Sequence, residues 1–416
     1  MAKISAFFTK VRDVVIGFIQ KYWFWIALAG IVALAVVIRI PLMTKKSGDY
    51  YNFLKPWYES LVEDPKAFLA SDDADYTPTY MYFLAFLSIF KLDTEAQGLN
   101  FAIKYISMGF ELGTAILIFF ILKFILKKHD SITLLGCFLA LFLPQVFLNS
   151  AFWGQCDAIY VFFIVLSLFF VLKEKSCWAA VAFAVSFTFK LQSIFFLPVL
   201  IFLWFKHRFK LYWLLLVPVI YVIFMIPAMA CGRSFHSCIA VYFDQTEEYP
   251  YLVMNAPSVY AFMYRSIVTN ESVIEHLVPA ATYFGVALIF ILLVFLFLAY
   301  KEVTLEDIIK VTFLVTLFAP YVLPSMHERY FYIAEIMAIL YVAVCPKKWY
   351  ISFIAIAGTF QGYNNYLFNT YYLNNENLNL LIGASLIMVS LILLMYDVFK
   401  GKTLGFPKKE TKQAQA

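Results

Sequence analysis

Apolar runs of bilayer length follow one another along nearly the whole chain. They cover residues 22–43, 101–126, 132–150, 156–172, 177–190, 193–206, 211–230, 277–300, 308–324, 329–345, 347–366 and 378–399. A hydrocarbon core about 30 Å thick needs roughly 20 apolar residues in a helix. Only helices and closed barrels satisfy their backbone groups in lipid. The pattern therefore predicts an all-α, polytopic membrane protein with about twelve crossings. Composition agrees: 63% of the 416 residues are hydrophobic and 14% charged. Soluble domains run nearer 45–50% and about 25%. The net charge of +5 is spread over short loops, which is no footprint for nucleic acid.

Two of the runs meet at Phe189-Lys190-Leu191-Gln192-Ser193. A single helix there would bury a lysine in mid-bilayer, so a hairpin of two short helices is expected, with Lys190 at a membrane face. The segment 78–92 is apolar but only about 15 residues long, short for a span. If it lies in the interface, KKHD (127–130), KEK (173–175), KHRFK (206–210) and CPKKWY (345–350) all fall on one side with both termini. By the positive-inside rule that side is cytoplasmic. The N-terminal stretch reads as an uncleaved first span rather than a signal peptide. Residues 1–400 then form one transmembrane domain, and 401–416 a polar, disordered cytoplasmic tail. External loops are expected at about 44–100, 231–276 and 364–379.

The first external loop is expected to carry two interfacial helices. In SGDYYNFLKPWYESL, residues Tyr50, Phe53, Leu54, Trp57, Tyr58 and Leu61 share one helical face. Their aromatics suit a headgroup belt, and Pro56 is expected to kink the helix. In DYTPTYMYFLAFLSIF, Thr77 and Pro78 read as N-cap and first helical residue.

The unusual polar residues fall on the external side: Asp49, Asp75, Asp157 in WGQCD, Lys190, Arg265, and His327-Glu328-Arg329. Polar groups at membrane depth are expensive and line cavities, which points to a polar site fit for an anionic lipid headgroup. Most also have a plainer reading. Asp49 could N-cap the helix after it, and Asp157 could open its own. Asp75 could be one solvated acid among Asp72 and Asp73. Lys190 could snorkel to the interface. His327, Glu328 and Arg329 could form a structural ion network. No Gly-rich phosphate loop is present, and MHERY lacks the second histidine of a zinc motif. Asp73-Ala74-Asp75 reads as an exposed acidic turn rather than a metal site. The six cysteines show no ligand spacing. Cys231 and Cys238 would either pair across an external loop or simply pack.

The pieces GDYYNFLKPWYESL, DYTPTY, WGQCDAIY, FKLQSIFFLPVL, NAPSVYAF and MHERYFY, in this order over residues 48–332, resemble the GT-C superfamily of membrane glycosyltransferases. The likeness is to prokaryotic relatives of the second mannosyltransferase of GPI-anchor assembly. A fainter one is to the dolichyl-phosphate-glucose glucosyltransferases of N-glycan assembly, whose DYPP stands here as DYTP. Beyond about residue 345 no motif matches. The resemblance implies a GT-C-like fold and an inverting transfer of a hexose, mannose by the nearer likeness. The donor would be a polyprenyl-phosphate sugar, the acceptor lipid- or glycan-linked, and the site on the external face of the cell membrane. It makes Asp49 the catalytic base, with Lys190, His327, Arg329 and, more weakly, Arg265 on the donor phosphate. Asp75, Gln155, Asp157, Gln192 and Glu328 would meet sugar or acceptor. No cofactor is implied, and a divalent metal is left open without being favoured. The rival expectation is a transporter or lipid flippase with an outward-facing polar cavity. Against it stands the absence of visible inverted repeats.

Overall fold

The computed structural model describes residues 2–248, 251–263, 271–372 and 375–405. Arg265 and most of the C-terminal tail lie outside them. The described chain is helical almost throughout; one two-stranded parallel pairing joins Val253–Met254 to Met326–His327. Five helices are long and apolar enough to cross a membrane: Arg12–Met43, Gly98–Ile125, Leu211–Cys231, Glu275–Ala299 and Asn377–Phe399. A sixth span is made if Asp130–Phe142 and Pro144–Trp153, bent by 41° at their junction, count as one. Shorter apolar helices occupy Asp157–Leu172, Ser176–Phe189 and Leu191–Phe205. The chain is thus an all-α membrane protein.

Its layers follow from where apolar residues can hide. The helices Leu305–Val322 and Tyr332–Val344 are buried on nearly every face. That is the fate of helices apolar all round. The helices Leu216–Cys231 and Glu271–Ala299 stand outside them and expose Val219, Ile223, Tyr283, Phe284 and Phe290. Apolar surface on this scale is incompatible with water and suits acyl chains. The helices Trp349–Phe368 and Glu376–Phe399 pack almost backbone to backbone. A Cβ on Gly383 would lie 2.7 Å from the Gly358 carbonyl oxygen, so the crossing requires glycine.

Two ion-paired groups stand inside this apolar frame. The Arg39 guanidinium meets Glu111 at 3.1 Å and also donates to the Leu141 and Ala35 carbonyls. Asp397, near the end of the last helix, accepts from Tyr341 at 2.8 Å and pairs with Lys310 and Lys348. All six cysteines, Cys231 and Cys238 included, are free thiols.

The first loop differs from expectation in what covers its aromatic stripe. Tyr50, Leu54, Trp57, Tyr58 and Leu61 are buried in protein, not laid on headgroups. They pack against residues 76–94: the Tyr50 hydroxyl donates to the Thr94 carbonyl, Tyr58 to that of Leu87, and Trp57 lies 5.6 Å from the Tyr76 ring. Periodicity identifies an apolar face but not its covering. The stripe begins as a wide turn over Tyr50–Leu54, in which the Lys55 N–H reaches the Tyr50 carbonyl; the regular helix Lys55–Glu63 carries Pro56 in its first turn. The second helix, Pro78–Ser88, starts where the sequence predicts. Thr77 holds the cap position without capping, because its hydroxyl donates to the Thr188 carbonyl.

Candidate functional site

Where the first helix ends at Met43, the chain is pinned from below. The Lys104 ammonium is buried and donates to the carbonyls of Met43, Lys45 and Phe152. Asn100 adds a second donor to Met43 at 2.7 Å. Ser47 caps the turn that follows, accepting from the Tyr50 N–H at 3.2 Å, while its hydroxyl donates to the Trp153 carbonyl. Asp49 therefore has no capping to do, and its side chain makes no cap hydrogen bond. Its carboxylate turns inward instead. Oδ2 accepts from the Trp153 indole N–H at 2.9 Å and from the Gln155 amide, and Oδ1 accepts from the Tyr366 hydroxyl at 3.1 Å.

Trp153 and Gln155 are aimed by Gly154 between them. Its φ of +87° is the left-handed conformation that glycine adopts freely, and it ends the wide helical turn Leu148–Trp153. The next helix, Asp157–Leu172, begins with a fully buried carboxylate. Asp157 receives the Lys190 ammonium at 2.7 Å and the Asn149 amide at 2.8 Å, with Arg329 Nε at 3.9 Å. The helix Ser176–Phe189 does break at Lys190, whose backbone is extended. Lys190 is nevertheless buried, so it neither snorkels nor sits bare at a membrane face.

His327 and Arg329 come from the crossing between the two core helices. Backbone pairing of Met254 with His327 fixes that strand. The Arg329 guanidinium lies 5.3 Å over the Trp153 ring. Burial, with Arg329 and Lys190 nearby, holds the His327 imidazole well below its usual pKa. Glu328 is fully enclosed, and burial raises its carboxyl to about 7.

These segments enclose a cavity of ≈ 240 Å³. Asp49, Asp75, Gln155, Lys190, Gln192, His327 and Arg329 line it, with Phe53, Trp57, Tyr76, Tyr330 and Tyr366 among the aromatics. Two expected contact residues do not reach it. Asp157 stands behind Lys190 and Arg329, and Glu328 behind the wall, its Cβ against Gly362. Their carboxylates face the cations of the lining from behind. Arg265 lies outside the described residues. Asp75 is half-buried at the cavity, unlike exposed Asp72 and Asp73. Trp153 and Tyr366 complete the surroundings of Asp49 and were not singled out from sequence. Trp153 is the first letter of WGQCD; Tyr366 stands at the head of the expected external loop 364–379, which matches no motif.

A second cavity of ≈ 260 Å³ shares Gln192, Gln245, His327 and Tyr330 with the first. The rest of its wall is mostly apolar, with Leu191, Ile194, Phe195, Val278, Leu323 and Met326. A polar chamber thus adjoins an apolar groove. Among the described residues, no group of three or more His, Cys, Asp or Glu is arranged to hold a metal ion.

Fold and site define an all-α membrane protein with a polar, carboxylate- and cation-lined chamber beside an apolar groove. No family model matches the chain, and no curated protein is significantly similar to it.

Proposed function

We propose that the protein is an inverting glycosyltransferase of GT-C type that moves a hexose, mannose by resemblance, from a polyprenyl-phosphate sugar to a lipid- or glycan-linked acceptor. The observation that carries this reading is that Asp49 and the cations Lys190 and Arg329, far apart in sequence, line one chamber that continues into an apolar groove. The groove takes the first isoprene units of the donor, and its phosphate faces Lys190, Arg329 and His327. Asp49 accepts the proton of the acceptor hydroxyl as that oxygen bonds to the anomeric carbon. The bond from that carbon to the phosphate oxygen breaks, and its electron pair leaves on the phosphate. A positioned base contributes about 10²–10⁴-fold, and fixed charges stabilise the departing phosphate best where water is excluded. Asp157 and Glu328 keep the two cations oriented from behind.

In this reading the chain makes about twelve crossings. The shorter helices cross within the shelter of the long ones, both termini are cytoplasmic, and the chamber opens to the external face of the cell membrane. The test is turnover of labelled polyprenyl-phosphate-mannose and polyprenyl-phosphate-glucose by purified protein, with membrane extract as acceptor source, beside Asp49→Asn. Consumption of one donor, slowed about a hundredfold or more in the variant, is expected. Equal consumption by both proteins removes Asp49 as the base. No consumption of either donor moves a transporter or flippase to the front.

A further inference from the structure

An exposed general base beside an activated sugar invites a wrong acceptor, water. The two oxygens of Asp49 are guarded differently. Oδ2 is held by two N–H donors from the 153–155 segment, and Trp153 is 1% exposed in the core. Among the described residues, Oδ1 has the Tyr366 hydroxyl, 3.1 Å away. The Tyr366 ring stacks on Trp153, with centroids 4.7 Å apart and planes at 29°. Yet Tyr366 is 38% exposed and stands in the last turn of its helix, which ends at Asn369 with a φ of +46°. Its outer side faces no packed interior.

We propose that Tyr366 is the acceptor-side guard of the site: its hydroxyl occupies the place of the acceptor hydroxyl on Asp49 Oδ1, keeps water from it, and yields when a true acceptor arrives. This inference rests on the glycosyl-transfer reading. Phenol and acceptor alcohol are both O–H donors to one carboxylate oxygen, so one replaces the other at no loss of hydrogen bonds. The Trp153 ring beneath offers the arriving acceptor an aromatic face. The acceptor class that fits is a carbohydrate, whose C–H face stacks on the ring while its hydroxyl reaches Oδ1.

Replacing Tyr366 by phenylalanine deletes one oxygen and leaves space for about one water molecule beside Oδ1. That water has the same base. Its oxygen bonds to the anomeric carbon, its proton goes to Asp49, and the electron pair of the broken bond leaves on the phosphate. The products are free sugar and polyprenyl phosphate.

The experiment incubates the purified full chain with labelled polyprenyl-phosphate-mannose without acceptor and counts free mannose. Wild type is expected to release little. Tyr366→Phe is expected to release about tenfold more, within what a positioned base can supply. Tyr366→Phe with Asp49→Asn is expected to fall back to wild type or below. Transfer to acceptor in extract is measured in parallel, and melting temperature reports folding; Tyr366→Leu, which opens the same space, is the second variant. If wild type transfers mannose but neither Tyr366 variant raises hydrolysis, the guard is refuted and the transfer reading stands. If hydrolysis and transfer fall together, Tyr366 merely positions Asp49, and the guard is again refuted. A wild type that consumes neither the mannose nor the glucose donor, with acceptor present, overturns both readings.

Discussion

Removing Asp157 should damage this protein more than removing its partner Lys190. The two atoms are 2.7 Å apart, with side chains 0% and 5% exposed. At that distance the attraction is about 6 kcal/mol for an effective dielectric near 20. Desolvation offsets much of it, and breaking such a pair by removing one partner typically costs about 3–5 kcal/mol. The two removals differ in what they leave behind. In Lys190→Met, Asp157 keeps the Asn149 amide at 2.8 Å and Arg329 at 3.9 Å, so the loss should sit near or below about 3 kcal/mol. In Asp157→Asn, the lysine keeps the Tyr76 ring at 5.0 Å but loses its carboxylate, so the loss should reach about 4–5 kcal/mol. The double variant leaves neither charge stranded and should cost less than Asp157→Asn alone. Denaturant unfolding in micelles, run as a double-mutant cycle, measures all three. An Asp157→Asn loss below about 1 kcal/mol, or losses that simply add, would refute the buried pair. Activity then separates structure from chemistry. If Lys190 faces the donor phosphate, the double variant regains stability but not turnover.

Glu328 makes stability depend on pH. Its carboxyl is raised from 4.5 to about 7 by burial, so the folded state holds a proton that the unfolded state has released. Stability therefore falls as pH rises from about 4.5 to about 7, by at most roughly 3 kcal/mol. Glu328→Gln should flatten that window and raise the melting temperature at pH 8; an unchanged pH profile would show that the carboxyl titrates normally. Lys104→Met frees three backbone carbonyls from their shared donor. It should cost about 1–3 kcal/mol and lower turnover by displacing Asp49, with donor affinity kept; full turnover in a destabilised variant would show that the clamp serves the fold alone. Gly383→Ala meets the Gly358 carbonyl at 2.7 Å and should cost about 1–3 kcal/mol, read as a lowered Tm.

Several elements could be read before folding because their physics is local. Apolar runs must become helices in lipid, whatever their neighbours are. A lysine between two apolar runs breaks the helix, since a straight one would strand its charge. Of the acids, amides and bases expected in one polar enclosure, Asp49, Asp75, Gln155, Lys190, Gln192, His327 and Arg329 line it, while Asp157 and Glu328 stand behind. What tertiary structure decided is what each side chain faces. The stripe from Tyr50 to Leu61 has the same period whether lipid or protein covers it, and protein does. Asp157 reads like any acid at a helix start until Lys190 and Arg329 close over it. How far the His327 imidazole is pushed below its usual pKa is set by what packs over it. Tyr366 stands 317 positions from Asp49, and no spacing rule links residues that meet only because two distant helices end side by side. Sequence by itself determined which groups must leave water and lipid together; only the packed helices, by setting distances and dielectric, determined which of them touch.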